Sequence, residues 1–108
     1  MKFLLSVLDT RSSSASESEM SAIAGFNAEL RRHDALIFAG GLAHAQESIT
    51  FAPDISPDAP RRSVVDEGAH FVSGMWIIEA PSSARAHSLA FAASQACNRL
   101  VECRAFLD

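Results

Sequence analysis

Cysteine is scarce in this 108-residue chain, which has only Cys97 and Cys103, six residues apart with no CxxC spacing and no neighbouring histidine. That excludes the common metal and thiol-redox motifs. Positive charge is also in short supply: nine Lys plus Arg stand against thirteen Asp plus Glu, a formal net charge of -4. Such a surface draws in neither phosphate backbones nor anionic lipid, so neither nucleic acid nor membrane is expected as a partner. No apolar run is long enough to span a bilayer. The start, Met1 to Leu8, imitates a signal peptide, but Asp9 and Arg11 cut it short, and the cytoplasm, with both thiols reduced, is the expected compartment. No P-loop, GxSxG elbow, HExxH pair or dinucleotide fingerprint occurs, and no metal or cofactor is expected.

What is present reads as one domain over residues 1–108: 48% hydrophobic and 20% charged residues suit an ordinary globular protein. Met1 to Leu8 carries large apolar side chains on both faces, as a central strand does. Ser16-Glu17-Ser18-Glu19 matches a capping box, so a helix should start there and run to about His33, with Met20, Ile23, Phe26 or Asn27, and Leu30 as its apolar stripe. Ala35 to Ala39 follows as a strand, and Gly40-Gly41 predicts a bend. Ser48 to Phe51 has brief strand character, and Pro53, Pro57 and Pro60 mark a loop behind it. Arg62 to Val65 predicts another strand, Asp66 to His70 a turn, and Phe71 to Glu79 the longest strand. After Pro81-Ser82-Ser83, a second helix shows an alanine-rich face through Ala86, Leu89, Ala90, Ala93 and Cys97. Leu100 to Leu107 reads as a last strand.

The order β-α-β-β-β-α-β, with helices in the crossover positions, implies an α+β fold: a ferredoxin-like split βαβ with an extra β segment and both helices on one sheet face. Phe3 or Leu4 and Ile77 or Ile78 put apolar groups on the other face too. A homodimer packing sheet on sheet is the expected remedy.

Three stretches resemble the YCII-related family, including its DGPF-type branch. Met1-Lys2-Phe3-Leu4-Leu5 looks like the family's opening M-K-Y-L-L. Phe26 to Leu30 with Leu36 to Leu42 looks like its helix followed by L-x-x-x-x-G-L, and Gly74 to Glu79 looks like its G-F-[WY]-I-I-E strand. The resemblance implies a dimeric α/β barrel. Two features of the family are replaced. The D-G-P-F tetrad falls on Arg62-Ser63-Val64-Val65, with Glu67 on the glutamate that follows it, unless Asp66-Glu67-Gly68 is a shifted remnant. The helix histidine of the enzymatic relatives falls near Ile23, and Ser18 to Arg32 contains no histidine. DGPF-type relatives often accompany sigma factors, which implies a regulatory role by analogy.

Candidate site residues are weighed against structural uses. Asp66, Glu67 and His70 surround Gly68, so two carboxylates and an imidazole meet at one turn, suited to acid–base work, cation binding or plain solvation of the turn. His44 follows the glycine pair on a loop, and Trp76 either walls a small-ligand pocket or packs in a core or dimer face. His33 with Asp34 serves the helix end, and His87 should be exposed. Arg61, Arg62 and Arg104 suit an anionic substrate or surface pairing with Glu102, Glu79 or Asp58. The expected function is a ligand-binding or regulatory accessory module with a small-molecule ligand, its pocket between sheet and helices near His44, Glu67, His70 and Trp76. The alternatives are a purely structural dimerisation domain, or a lyase- or isomerase-type enzyme with His70 or His44 as base.

Overall fold

The opening apolar run forms β1 (Lys2–Asp9), the strand around which the sheet is organised. A computed structural model of the chain describes residues 1–10, 15–54, 56, 58, 61, 62 and 70–107. After β1 come α1 (Glu17–Arg32), β2 (Leu36–Gly41), a single 3-10 turn at Ala45–Glu47, β3 (Ile49–Thr50), β4 (Arg61–Arg62), β5 (Phe71–Glu79), α2 (Ser83–Cys97) and β6 (Leu100–Ala105). Four strands make one sheet in the order β2-β5-β1-β6, and every neighbouring pair is antiparallel. This is α+β architecture compatible with a ferredoxin-like fold. The expected brief middle segments pair with each other: β3 and β4 form a separate two-stranded ribbon, Ile49 opposite Arg62 and Thr50 opposite Arg61. The remainder of the Arg62 to Val65 expectation lies outside the described residues.

Period-two alternation sends Phe3, Leu5 and Val7 of β1 to one face, where they meet Trp76 and Ile78 of β5. Both helices cover this inner face. α2 brings Ala86, Leu89, Ala90, Ala93 and Cys97 into the core, and the alanines let its axis lie close to the strands. α1 contributes one fully buried residue, Leu30, with Ile23 and Phe26 packed partly against the core. Met20, expected on that stripe, is 55% exposed. The physical reason is that Glu19 takes the inward position of that turn, its side chain 20% exposed and facing Arg99, so Met20 turns outward.

The helix boundaries follow local chemistry. The Ser16 side chain accepts from the Glu19 amide at 3.2 Å, and the Glu19 carboxylate accepts from the Ser16 amide at 2.8 Å, so the expected capping box is present. Ser82 caps α2 by accepting from the Arg85 amide at 3.1 Å. α2 ends at Asn98 in the left-handed conformation, φ 53°.

The bend expected at Gly40-Gly41 is absent: both glycines continue β2, with Gly40 opposite Met75 and Gly41 opposite Gly74. Their purpose is close approach. A Cβ on Gly74 would stand 3.1 Å from the Gly40 carbonyl oxygen, so at this crossing the sheet tolerates no side chain without moving backbone. A bulge between Val7 and Leu8 leaves Ser73 as an extra residue in β5 and shifts Leu8 opposite Val72. Bulge and glycines occur at the same end of the sheet, and both thin its inner face there.

Candidate functional site

At that thinned end a cleft of about 430 Å³ opens between the inner face of the sheet, the middle of α1 and the loop after β2. Its floor is Val7, Ala39, Gly41 and Gly74, short side chains that leave the strands bare. Ile23 and Asn27 of α1 form one wall, Trp76 and Phe71 supply aromatic surface, and Leu42 to His44 form the rim. Asp9, Cys97 and Arg99 close the far end.

Several polar groups in the cleft are held by specific partners. The Trp76 indole N–H donates to Asn27 Oδ1 at 2.6 Å, and the Phe26 ring meets the indole edge-on at a centroid distance of 5.3 Å. These contacts fix the ring, which is 4% exposed. His44 caps the 3-10 turn: its Nδ1 accepts from the Gln46 amide at 3.1 Å. An accepting Nδ1 carries no proton, so the ring proton resides on Nε2 and the group it can offer a ligand is a donor.

Arg99 sits just past the left-handed Asn98. Its Nε donates to Asp9 Oδ2 at 2.7 Å, and its Nη1 donates to the Cys97 carbonyl at 2.8 Å and reaches Glu19 Oε2 at 3.5 Å. One guanidinium thus ties the end of β1, the first turn of α1 and the last turn of α2. Burial works against its charge, but the hydrogen bond and attraction of Asp9, aided by Glu19, hold its pKa above the ordinary arginine value. The Glu19 carboxyl is held below its ordinary range chiefly by the Ser16 backbone amide, against a smaller opposing effect of burial and with help from the Ser16 hydroxyl and Arg99. Burial pushes the Cys97 thiol up, so it is protonated at neutral pH and packs as a small hydrophobe.

Of the residues singled out from sequence, the cleft brings together His44 and Trp76. His70 is exposed and lies outside the cleft lining, although its neighbour Phe71 is part of it. Asp66 and Glu67 lie outside the described residues, as do the side chains of Arg61 and Arg62. Arg104 pairs with Glu102 at 2.7 Å on the surface. His33 caps α1 and holds Glu29 at 3.1 Å, and His87 is exposed. Asn27, Asp9 and Arg99 were not anticipated. Asp9 had a signal available: it continues the 3, 5, 7 alternation that buries β1, so a carboxylate was due on the apolar face. Arg99 and Asn27 had none, because their partners are distant in sequence.

Among the described residues no group of three or more His, Cys, Asp or Glu side chains is placed to hold a metal ion, and no helix is long and apolar enough to cross a membrane. No protein-family model matches the chain, and no curated protein matches it either.

Proposed function

We propose that the protein is a small-molecule-binding module whose ligand occupies the cleft over Gly41 and Gly74. The observation that carries this reading is the cleft itself: at about 430 Å³ it falls within the range of roughly 300–1,000 Å³ typical of ligand sites, and its mainly apolar wall carries a few fixed polar groups. Binding is favoured over catalysis by the state of His44. With Nδ1 committed to Gln46, the ring has no free basic nitrogen facing a substrate, and His70 stands apart from the cleft.

Kinship with the YCII-related family, and through its DGPF-type branch an accessory or regulatory role, belongs to the same proposal. The resemblance is supported by where its motifs lie. Of Met1 to Leu5 all but Met1 falls in β1, Gly74 to Glu79 falls in β5, and Leu36 to Leu42 falls in β2 up to Gly41, three strands adjacent in the sheet. A homodimer closing an α/β barrel is the assembly this reading carries. Its support is the outer face of the sheet, where register puts Leu4, Met75, Ile77 and Phe38 together while both helices pack on the other side.

The test is a fragment screen read by amide and indole chemical shifts of the labelled full chain. Bound fragments should move Trp76, Gly41 and Gly74 as one saturable cluster. Shifts scattered over the surface, or none at the cleft, would leave a structural dimerisation domain as the account of the fold.

A further inference from the structure

Resting on the reading of the cleft as a ligand site, we infer that its ligand is an uncharged molecule presenting a carbonyl-type hydrogen-bond acceptor on a flat apolar body. The inference comes from which half of each polar group is already used. Asn27 engages its one acceptor atom, Oδ1, with the Trp76 N–H at 2.6 Å. Its Nδ2 amino group, with two N–H donors, donates to no protein group among the described residues, so the amide offers a ligand chiefly donors. His44 spends its only acceptor on the Gln46 amide at 3.1 Å and is left with Nε2–H. The indole N–H itself is consumed. Two side chains on the cleft wall therefore offer donors, Ser73 adds a hydroxyl that serves either way, and the sheet floor of Ala39, Gly41 and Gly74 offers apolar surface, because its backbone groups lie in the β2–β5 ladder.

Charge selects within the acceptor-bearing molecules. The Arg99 guanidinium at the end of the cleft is held by Asp9 at 2.7 Å and by the Cys97 carbonyl at 2.8 Å and faces Glu19 at 3.5 Å, so it is already committed to protein groups. A carboxylate or phosphate would find, among the described residues lining the cleft, no cation that protein groups do not already hold. An ammonium ligand would meet the two donors, which repel it, and a carboxylate already bound to arginine. An uncharged carbonyl or amide accepts from Asn27 and His44 with neither penalty. Its body is flat because the floor bears no side chain larger than a methyl group between Ala39 and Gly74, and the wall beside it is the Trp76 and Phe71 aromatic surface.

Three probes of one shape separate the possibilities: benzamide, benzoate and benzylamine share a ring and differ in charge and in what they donate. The chain has a single tryptophan, so its indole N–H gives one resonance that reports this cleft directly. Each probe is titrated into the labelled full-length protein, in the millimolar range expected of so small a ligand. Benzamide should shift the Trp76 indole and Gly41 and Gly74 amides saturably, and benzoate and benzylamine should bind about tenfold more weakly or worse. Asn27→Asp keeps an oxygen for the indole and removes the donor, so benzamide should weaken by about tenfold while benzylamine gains. His44→Ala, on the loop outside the core, removes the second donor and should weaken benzamide in a background that keeps α1 intact. If benzoate or benzylamine matches or exceeds benzamide, the donor inference falls and the cleft remains a binding site. If benzamide is preferred yet indifferent to both substitutions, the inference likewise falls. If none of the three probes moves the indole, both the inference and the ligand-binding reading fall.

Discussion

Asp9 is the residue at which the pattern of β1 turns from packing to chemistry. The alternation that buries Phe3, Leu5 and Val7 carries its carboxylate into the same inner face, where only 8% of the side chain is exposed. A carboxylate there is expensive without a cation, and Arg99 supplies one from the turn after α2. The pair is asymmetric in what its removal does. Arg99→Met should cost about 3 kcal/mol, because it removes a guanidinium held 2.7 Å from a largely buried carboxylate. Asp9→Leu with Arg99→Met should restore most of that loss, since both partners become apolar at similar volume. Urea unfolding of the two single variants and the double variant closes the cycle. A double variant as unstable as the sum of the singles would mean that the two side chains act independently.

At the scale of the element, α1 shows how a short local pattern fixes one end of a helix. Ser16→Ala removes the side chain that accepts from the Glu19 amide and should cost about 1 kcal/mol. Glu19→Gln keeps the reciprocal bond to the Ser16 amide and removes only the charge, which isolates the pH dependence. The Glu19 pKa is lowered in the folded protein, so the stability its charge contributes is complete above the unfolded glutamate value and is lost as pH falls through the folded one. The stability difference between the protein and Glu19→Gln should therefore be present at neutral pH and vanish in acid. A difference that stays constant across the titration would show that the charge is not coupled to folding.

The same element shows what was legible in the sequence and what was not. The capping box, the Ser82 cap and the span of β5 rest on contacts within four residues or on strict alternation, and they could be read directly. So could the chain order that makes a ferredoxin-like sheet. The cleft could not, because its polar pairs are made by topology: Trp76 and Asn27 are 49 residues apart and Arg99 and Asp9 are 90 apart. Gly40-Gly41 misled for a related reason. Glycine serves a bend and a close crossing equally well in sequence, and only the arrival of Gly74 on the adjacent strand distinguishes them. His44 stood out by its place on the loop after the glycine pair and Trp76 as the one tryptophan, on the longest strand, whereas an asparagine in a helix stripe carries no such mark.

For the whole molecule the question is what the outer sheet face does. Register aligns Phe38, Ile77 and Leu4 across three strands, and Leu8 lies between Val72 and Leu100, with Phe38 55% and Leu100 57% exposed. On that face Arg104 pairs with Glu102 at 2.7 Å, and Lys2 stands opposite Glu79, whose carboxylate also meets the N-terminal ammonium at 2.9 Å, so a second copy meets little uncompensated charge. Four strands about 4.8 Å apart and about 20 Å long present roughly 400 Å² in projection. Even with a corrugated surface, that lies at or below the 800 Å² or so per partner of a standard interface. The dimer should therefore form through the sheets yet dissociate on dilution. Sedimentation over a concentration series should move from twice the 11.6 kDa chain mass towards the chain mass itself. Ile77→Glu puts a carboxylate at the centre of the face in each copy, opposite its own symmetry mate if the axis passes there, and should hold the protein monomeric with its circular dichroism unchanged. Because Ile77 points away from the cleft, the same variant should still shift its Trp76 resonance with benzamide. A protein that is monomeric at every concentration, or a dimer that survives Ile77→Glu, would remove sheet-on-sheet pairing as the cover for this face.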